Sequence, residues 1–410
     1  MKNNKYKDWL YVGYLFFSTT FFFFDPTLYF SKILVLSFAW FFLVLIIFQT
    51  ETAIKFDSYI IFIIFYVIFL EISKFFHLHN YSTIELIYPA GIAQILFLIY
   101  ITNEEKKIIL STIDKYINLI IIITIPGLLF YFSILLGIEF KYELIHLGGR
   151  IQLFYRNYYN LAIFGSYEIF PIGPFKLARL CGAFEEPGML GTILAILLIT
   201  DVIAFPAKKN RKKIIILLGL FTLSFAFYLS LICISMYSSI FKKNKGILFF
   251  LVFGTFAFLI LVPSDLQYAF KYLMGDRFTI TNQGIVGDTR AIYSDWFENY
   301  LSTTDAQTLI FGNGWKSNQL STGGGYSSYH SLIYEGGILG FSLVIIFESY
   351  LLIWYPIRSE DKWMIFLTLF PILSLYQRPN PLDPQYLVCY AIIVSKYHDS
   401  LISLHNYKNY

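Results

Sequence analysis

The chain has 410 residues, of which 57% are hydrophobic and only 14% are charged. Soluble domains carry about 25% charged residues, so this composition excludes an ordinary cytosolic globular protein and is typical of a membrane protein. Three cysteines exclude a disulfide scaffold and a cysteine-rich zinc site. The formal net charge of +4 is informative only through its distribution along the chain.

Long apolar runs recur along the whole chain. A helix that crosses a membrane needs roughly 20 predominantly apolar residues. The runs predict spans near 8–24, 29–49, 58–73, 82–102, 117–138, 187–206, 246–263, 332–354, 363–377 and 384–396. The first run follows three lysines, as in a signal peptide, but it ends in FFFFDP without small residues at a cleavage site. It is therefore interpreted as an uncleaved anchor.

The apolar run 214–241 lies between two basic clusters, KKNRKK (208–213) and KKNK (242–245). A single crossing would place one cluster outside, whereas two short helices with a turn near Thr222 to Ser224 keep both inside, as the positive-inside rule favours. With both clusters inside, predicted inner segments hold 19 of the 31 lysines and arginines, and most of the rest lie in two long loops. The sequence thus predicts an all-α polytopic membrane protein of about 12 transmembrane helices, with both termini cytoplasmic.

Two long loops, about 139–186 and 264–331, fall on the outer face of this single transmembrane domain. Loops of this length are uncommon unless they are functional or disordered, so we expect the active site there. In the second loop, Ile292, Trp296 and Tyr300 recur at helical spacing. This pattern predicts a short amphipathic helix over 289–300.

The first loop ends in Glu185, Glu186 and Pro187, where a predicted helix begins. Proline suits the first turn of a helix, and negative charge is favoured there by about 0.3–1 kcal/mol. A helix-capping acidic pair with a nearby surface arginine, Arg179, is therefore one complete reading of this segment. The alternative interpretation is that these charged residues have a functional role.

The second loop ends at His330, at the mouth of the next predicted span. A lone histidine at a membrane interface is usually only a polar tip. Gly312 and Gly314 allow a tight turn, and the three glycines 323–325 suggest a mobile tip or lid.

The order of these motifs resembles the polysaccharide polymerase and ligase superfamily, most closely its O-antigen polymerase (Wzy-type) branch. The matching residues are Arg179, Gly182, Phe184, Glu186, Pro187, Arg290, Phe311, Gly312, Gly314, Tyr329, His330, Gly337, Ile338 and Gly340. The resemblance covers roughly residues 175–345. Many members carry Ser-Arg-Gly where this chain has Ser224-Phe225-Ala226, so any role of that arginine is absent here or falls to another residue.

The resemblance implies a GT-C-like membrane glycosyltransferase of the bacterial inner membrane. Similar proteins transfer a growing O-antigen, capsule or exopolysaccharide chain from undecaprenyl pyrophosphate to the terminal sugar of an incoming lipid-linked repeat unit. They are taken to need no metal ion or other cofactor. A separate co-polymerase that sets chain length is an implied partner.

The residue chemistry suits such a transfer. A departing pyrophosphate needs positive charge, and arginine grips phosphate with two donors. The leading candidates are Arg179 and Arg290, and the secondary ones are Arg150, Arg156 and Arg277. His330 or Glu186 would accept the proton of the attacking hydroxyl, and both options stay open. Further candidate contacts to substrate are Trp315, Tyr329 and Glu335, although interfacial aromatics are as often plain membrane anchors.

Two alternatives remain at this stage. An O-antigen ligase, which moves finished polymer from its lipid to a lipid A core, would use the same residues. A lipid flippase or transporter would instead need ionisable residues along a path within the spans, where this chain has few. No phosphate-binding glycine loop, metal-binding motif or nucleic-acid-binding motif is evident in the sequence.

Overall fold

The computed structural model describes residues 6–19, 21, 29–50, 58–76, 89–138, 140–146, 154–165, 169–172, 175–241, 279–281, 284–286, 291–314, 317, 329–359, 361–375, 378 and 380–408. Elements are numbered over this part of the chain. It is mostly helical, and the all-α prediction misses three small antiparallel sheets in the two long loops that are predicted to face outward.

The N-terminal helices are α1 (Lys7–Ser18), α2 (Tyr29–Gln49), α3 (Ser58–Phe76), α4 (Ala90–Thr102) and α5 (Lys106–Leu135). The central element α5 packs against α1, α6 (Pro187–Ala204) and α7 (Lys209–Phe221). Thr19, just after α1, shares a 2.8 Å hydrogen bond with Tyr116 of α5, and both residues are buried. Such buried hydroxyl pairs satisfy polar atoms within an apolar bundle.

The run 214–241 forms two helices, as the two-helix reading predicts. Helix α7 ends at Phe221 and α8 (Phe225–Phe241) follows after a turn in which Leu223 has φ +46°. A non-glycine residue in this region marks a tight reversal of the chain. Gly191 of α6 lies against this turn, because a Cβ there would sit 2.2 Å from the Cβ of Ser224.

The C-terminal half continues with short and long helices. They are α9 (Ala291–Thr303), α10 (Ala306–Phe311), α11 (Tyr329–Ser349), a π-helical turn (Tyr350–Trp354), α12 (Tyr355–Arg358), a 3-10 turn (Lys362–Met364), α13 (Ile365–Ser374) and α14 (Pro384–Lys408). Helix α9 confirms the helix predicted over 289–300. In the core, α6 packs against α8 and α14, and α3 packs against α11.

Part of the first outer loop folds into strands. A meander of β1 (Glu143–His146), β2 (Phe154–Tyr158) and β3 (Ala162–Gly165) precedes the hairpin of β4 (Phe170–Ile172) and β5 (Phe175–Leu177). Between β2 and β3, Tyr159 and Asn160 have φ of +56° and +57°. Two successive positive φ values form the turn that matches the twist of a β-hairpin. In the second loop, β6 (Thr279–Thr281) pairs with β7 (Gly284–Val286).

Within the described residues, three helical stretches are long and apolar enough to cross a membrane: Lys106–Leu135, Pro187–Ala204 and Tyr329–Arg358. Several shorter apolar helices accompany them, Ala90–Thr102 among them. Large apolar side chains also stay exposed, as Phe48 does at 81% and Ile122 at 62%. The chain therefore has membrane-protein character, while the number of twelve crossings stays a prediction.

Ion pairs join helix ends that the predicted topology places on the same side. Lys7 pairs with Glu104 at 2.5 Å, and Lys115 pairs with Asp8 at 2.6 Å. All four residues belong to predicted inner ends of α1, α4 and α5. This arrangement supports the predicted alternation of the spans.

Candidate functional site

The segment before α6 is fixed to the turn between α7 and α8. Arg179 is 3% exposed, and its Nε and Nη2 donate to the carbonyl oxygens of Thr222 and Leu223 at 3.2 and 3.4 Å. The N–H of Leu180 donates to the carbonyl of Phe221 at 2.9 Å. The last carbonyls of a helix have no partner within it, and a cation is favoured beside them. Arg179 therefore stabilises the end of α7.

Glycine at position 182 allows the same segment to touch α5. Gly182 has φ +60°, and its carbonyl accepts from the N–H of Ile163 at 2.9 Å. A Cβ on Gly127 of α5 would lie 2.5 Å from the Cα of Gly182. Two backbones can approach this closely only where side chains are absent. The end of the first outer loop is thus held against α5 and β3.

Glu186 precedes the first residue of α6, Pro187, as the sequence predicts. Its carbonyl accepts from the N–H groups of Met189 and Leu190 at 3.1 and 3.2 Å. Its side chain makes no capping hydrogen bond and instead forms an ion pair with Arg378, in which both side chains are partly exposed. The carboxylate is therefore engaged by a guanidinium rather than by the helix end.

Arg378 belongs to the connection between α13 and α14, which the sequence analysis did not single out. The backbone N–H of Arg378 donates to the carbonyl of Ser374 at 2.8 Å. Asp383 directly precedes α14, and its carbonyl accepts from the N–H of Tyr386 at 2.9 Å. Desolvation raises the pKa of Asp383 from 3.8 to about 6, against the lowering effects of a hydrogen bond from Gln385 and of the Arg378 charge. The stretch RPNPLDP, polar and proline-rich between two apolar runs, was the available signal.

His330 lies in the first turn of α11, as predicted, and packs among aromatic rings. Its ring stacks on Phe297 of α9 at 4.1 Å and contacts Tyr329 at 4.2 Å. His330 itself is partly exposed. The helix predicted in the second outer loop thus supplies one wall of the histidine's surroundings.

The predicted tight turn after α10 docks on the same helix as His330. Gly312 and Gly314 have φ of +79° and +93°, which confirms their role in the turn. The N–H of Gly314 donates to the carbonyl of Glu335 at 3.0 Å. Gly337 has φ +63° and interrupts α11 where a Cβ would lie 2.2 Å from the carbonyl oxygen of Ile310. This contact orders the chain immediately around Glu335.

The predicted site residues fall into three sets. The structure brings Arg179 and Glu186 into one segment with Arg378 beside it, and it places His330, Tyr329 and Glu335 together on α11. Arg156 lies apart on β2, with its guanidinium 4.7 Å from the ring of Tyr142. Four predicted residues lie outside the described residues: Arg150, Arg277, Arg290 and Trp315. The glycines 323–325 do so as well.

No known protein family, curated protein or solved structure matches this chain.

Proposed function

We propose that this chain is a polysaccharide polymerase of a bacterial inner membrane, with both termini in the cytoplasm. In this proposal it transfers a growing glycan from undecaprenyl pyrophosphate to the terminal sugar of an incoming lipid-linked repeat unit. The reaction uses the protein's own side chains and no metal ion. A chain-length-regulating co-polymerase is the proposed protein partner.

The observation that supports this proposal most is the charge arrangement at the start of α6. Arg378 is partly exposed beside Glu186, next to a helix N-terminus, which itself favours anions. A leaving pyrophosphate is stabilised by cations positioned where its charge develops. We assign phosphate contact to Arg378 and to Arg290, and we assign to buried Arg179 the positioning of the neighbouring turn. Arg378 also takes the role of the arginine absent at Ser224-Phe225-Ala226.

The choice of base follows from the partners of the two candidates. Oε2 of the Glu186 carboxylate accepts from Nη2 of Arg378, so this oxygen is already engaged by a guanidinium. His330 is partly exposed at the start of α11, and a ring nitrogen of a neutral imidazole can accept a proton in catalysis. We therefore assign proton acceptance to His330 and the orientation of Arg378 to Glu186.

A transporter is the second candidate, and one observation favours it. Glu348 is 0% exposed within the long apolar helix α11, where it accepts a hydrogen bond from Tyr390. Buried carboxyls within membrane helices often mark ion or substrate paths. Glu348 lies on α11 rather than at the start of α6, so the observation that favours a transporter is separate from the one that favours the polymerase.

Replacement of Arg378 tests the polymerase. We expect Arg378→Ala to lower polymer formation about 100-fold, the usual loss when one donor to a developing negative charge is removed. Arg378→Lys should keep part of the activity, because the charge stays but the two-pronged geometry is lost. The measurement is a gel of surface polysaccharide, normalised to protein level. Arg358→Ala is the matched control, since it removes an exposed arginine at the predicted inner end of α12.

The same gel, read together with the lipid-linked glycans that remain in the membrane, separates the alternatives. A failed polymerase leaves single repeat units on the acceptor, a failed ligase leaves none while lipid-linked polymer accumulates, and a failed transporter traps units on the inner leaflet. His330→Ala and Arg290→Ala should give the first pattern. Persistence of long chains in both variants would show that the site assignment is wrong.

A further inference from the structure

A cationic hollow lies at the N-terminal end of α7, on the face predicted to be cytoplasmic. Its volume is about 370 Å³, and it is lined by Asn118 of α5 and by residues 207–211. Arg211 in its wall pairs with Asp201, near the end of α6 opposite to Glu186. The hollow is therefore separate from the residues assigned to glycan transfer.

Cations outnumber carboxylates around this hollow. Lys208 and Arg211 both pair with Asp114 of α5. Arg211 also pairs with Asp201, and the Nζ of Lys212 lies 3.8 Å from the same carboxylate. Two carboxylates, Asp114 and Asp201, thus pair with three cations. The cluster therefore keeps a net positive charge, even without Lys209.

Further donors around the hollow are available to an anion. Lys209 is exposed and forms no ion pair within the described part of the chain. Arg211 is 8% exposed, and its Nε is a buried donor that has no hydrogen-bond partner in that part. Asn210 and Arg211 also lie in the first turn of α7, where backbone N–H groups lack intrahelical acceptors and favour phosphate. Side-chain and backbone donors therefore meet at one place.

Exposed apolar side chains follow the lining residues of the hollow along both α5 and α7. On α5 an apolar stripe starts one turn beyond Asn118, at positions i+4, i+7 and i+11, which share one helix face. It consists of Ile122, Ile125 and Leu129, which are 62%, 43% and 64% exposed. On α7, Ile214 and Leu217 are 44% and 45% exposed. A soluble phosphate would use only the cations, whereas a lipid would use the cations and the stripe.

We propose that this hollow binds the headgroup of an anionic phospholipid of the cytoplasmic leaflet. The phosphodiester contacts Lys208, Lys209 and the first turn of α7, and an acyl chain lies along the stripe on α5. Because the two halves of the contact belong to different helices, the lipid holds α5 and α7 together. This is a binding site in its own right and does not depend on the polymerase proposal.

Native mass spectrometry of the full-length protein in detergent tests the site. The probes are phosphatidylglycerol, phosphatidylcholine with the same acyl chains, and inorganic phosphate. We expect phosphatidylglycerol to bind as a discrete adduct, at least about tenfold more tightly than phosphatidylcholine. Lys209→Gln should weaken its binding about fivefold and Lys208→Gln/Lys209→Gln about 25-fold, since each cation near an anionic headgroup contributes about 1 kcal/mol.

The matched control is Lys106→Gln/Lys107→Gln. It removes two exposed cations of α5 that lie on the same predicted cytoplasmic side of the membrane as the hollow. It should bind phosphatidylglycerol as the wild type does. Equal losses in the control and in Lys208→Gln/Lys209→Gln, or equal binding of the two lipids, would overturn the site. Displacement of phosphatidylglycerol by millimolar phosphate would overturn its assignment to a lipid. Lys209→Gln keeps the test valid even if the double variant misfolds, because Lys209 is exposed.

Discussion

The carboxyl of Asp383, at the N-terminus of α14, makes stability depend on pH in a direction that can be tested. Its pKa is raised from 3.8 to about 6, so the folded state binds its proton more tightly than the unfolded state. The contribution of Asp383 to the free energy of unfolding is fully present below about pH 4, where the carboxyl is protonated. It is lost as the pH rises through about 6, and the loss amounts to about 1–3 kcal/mol. We expect Asp383→Asn to raise the thermal midpoint near pH 7.5 and to lose that advantage near pH 4.5.

Asp305 provides a control, because its contribution to stability should change with pH in the opposite direction. It begins α10 and accepts hydrogen bonds from the N–H and hydroxyl of Thr308, and these bonds lower its pKa. Its contribution is therefore present at neutral pH and is lost in acid. Asp305→Ala should lower the thermal midpoint more at neutral than at acid pH. If both variants show the same pH trend, the assigned protonation of Asp383 is wrong.

At the residue scale, the sequence located part of the candidate site. Glu186 at a helix start and His330 at a span mouth followed from local rules about proline, charge and apolar runs. The partner of Glu186 could not be predicted, because Arg378 is 192 residues further along the chain. Only the packing of α6 near the connection of α13 and α14 brings the two charges together.

At the element scale, the turn between α7 and α8 was predictable and the sheets were not. Two basic clusters around one apolar run required a reversal, whatever its detailed geometry. The strands of 143–177 are each three to five residues long, too short for a clear alternation of apolar and polar residues. The turn at Tyr159 and Asn160 uses positive φ without glycine, so the strongest hairpin signal is missing.

The docking of α10 on α11 gives an element-scale prediction at Gly337. A Cβ there would lie 2.2 Å from the carbonyl oxygen of Ile310, at a φ of +63°. Gly337→Ala should lower the midpoint of thermal unfolding clearly, because positive φ with ψ −175° is a conformation essentially reserved for glycine that costs about 1–3 kcal/mol, and the backbone contact must also open. The midpoint is measured in detergent by fluorescence-detected size exclusion.

The adjacent Gly336 supplies the control. A Cβ at Gly336 would meet the side chains of Leu70 at 3.8 Å and Tyr66 at 4.0 Å, which are ordinary contacts, and its φ is not positive. Gly336→Ala should therefore remain close to the wild type. Equal midpoints for the two variants would mean that α10 does not dock on α11 as described.

For the whole molecule, cysteine labelling tests which ends face outward. The native Cys181, Cys233 and Cys389 are all buried, so background labelling should be low. Leu161, 52% exposed beside the β2–β3 turn, and Lys107, exposed at the start of α5, lie on predicted opposite sides. On intact cells, a membrane-impermeant maleimide should label Leu161→Cys and not Lys107→Cys.

The reverse labelling pattern would place 139–186 in the cytoplasm and remove the basis of the polymerase proposal, because the finished lipid-linked glycan is displayed on the outer face. Membrane character itself was predictable from composition, since apolar runs cannot be buried in so many places in a soluble domain. The number of crossings was harder to predict, because α4, α7 and α13 are shorter than a bilayer-spanning helix.

The ten residues of α13 have a further consequence for the surrounding membrane. A helix of this length rises about 15 Å, half of the roughly 30 Å thickness of a hydrocarbon core. The chain then turns toward Arg378, whose charge must stay in contact with water. Hydrophobic mismatch of this kind is relieved by local thinning of the bilayer. If α13 is the crossing that the sequence predicts near 363–377, the protein should therefore favour thin membranes built from short-chain lipids.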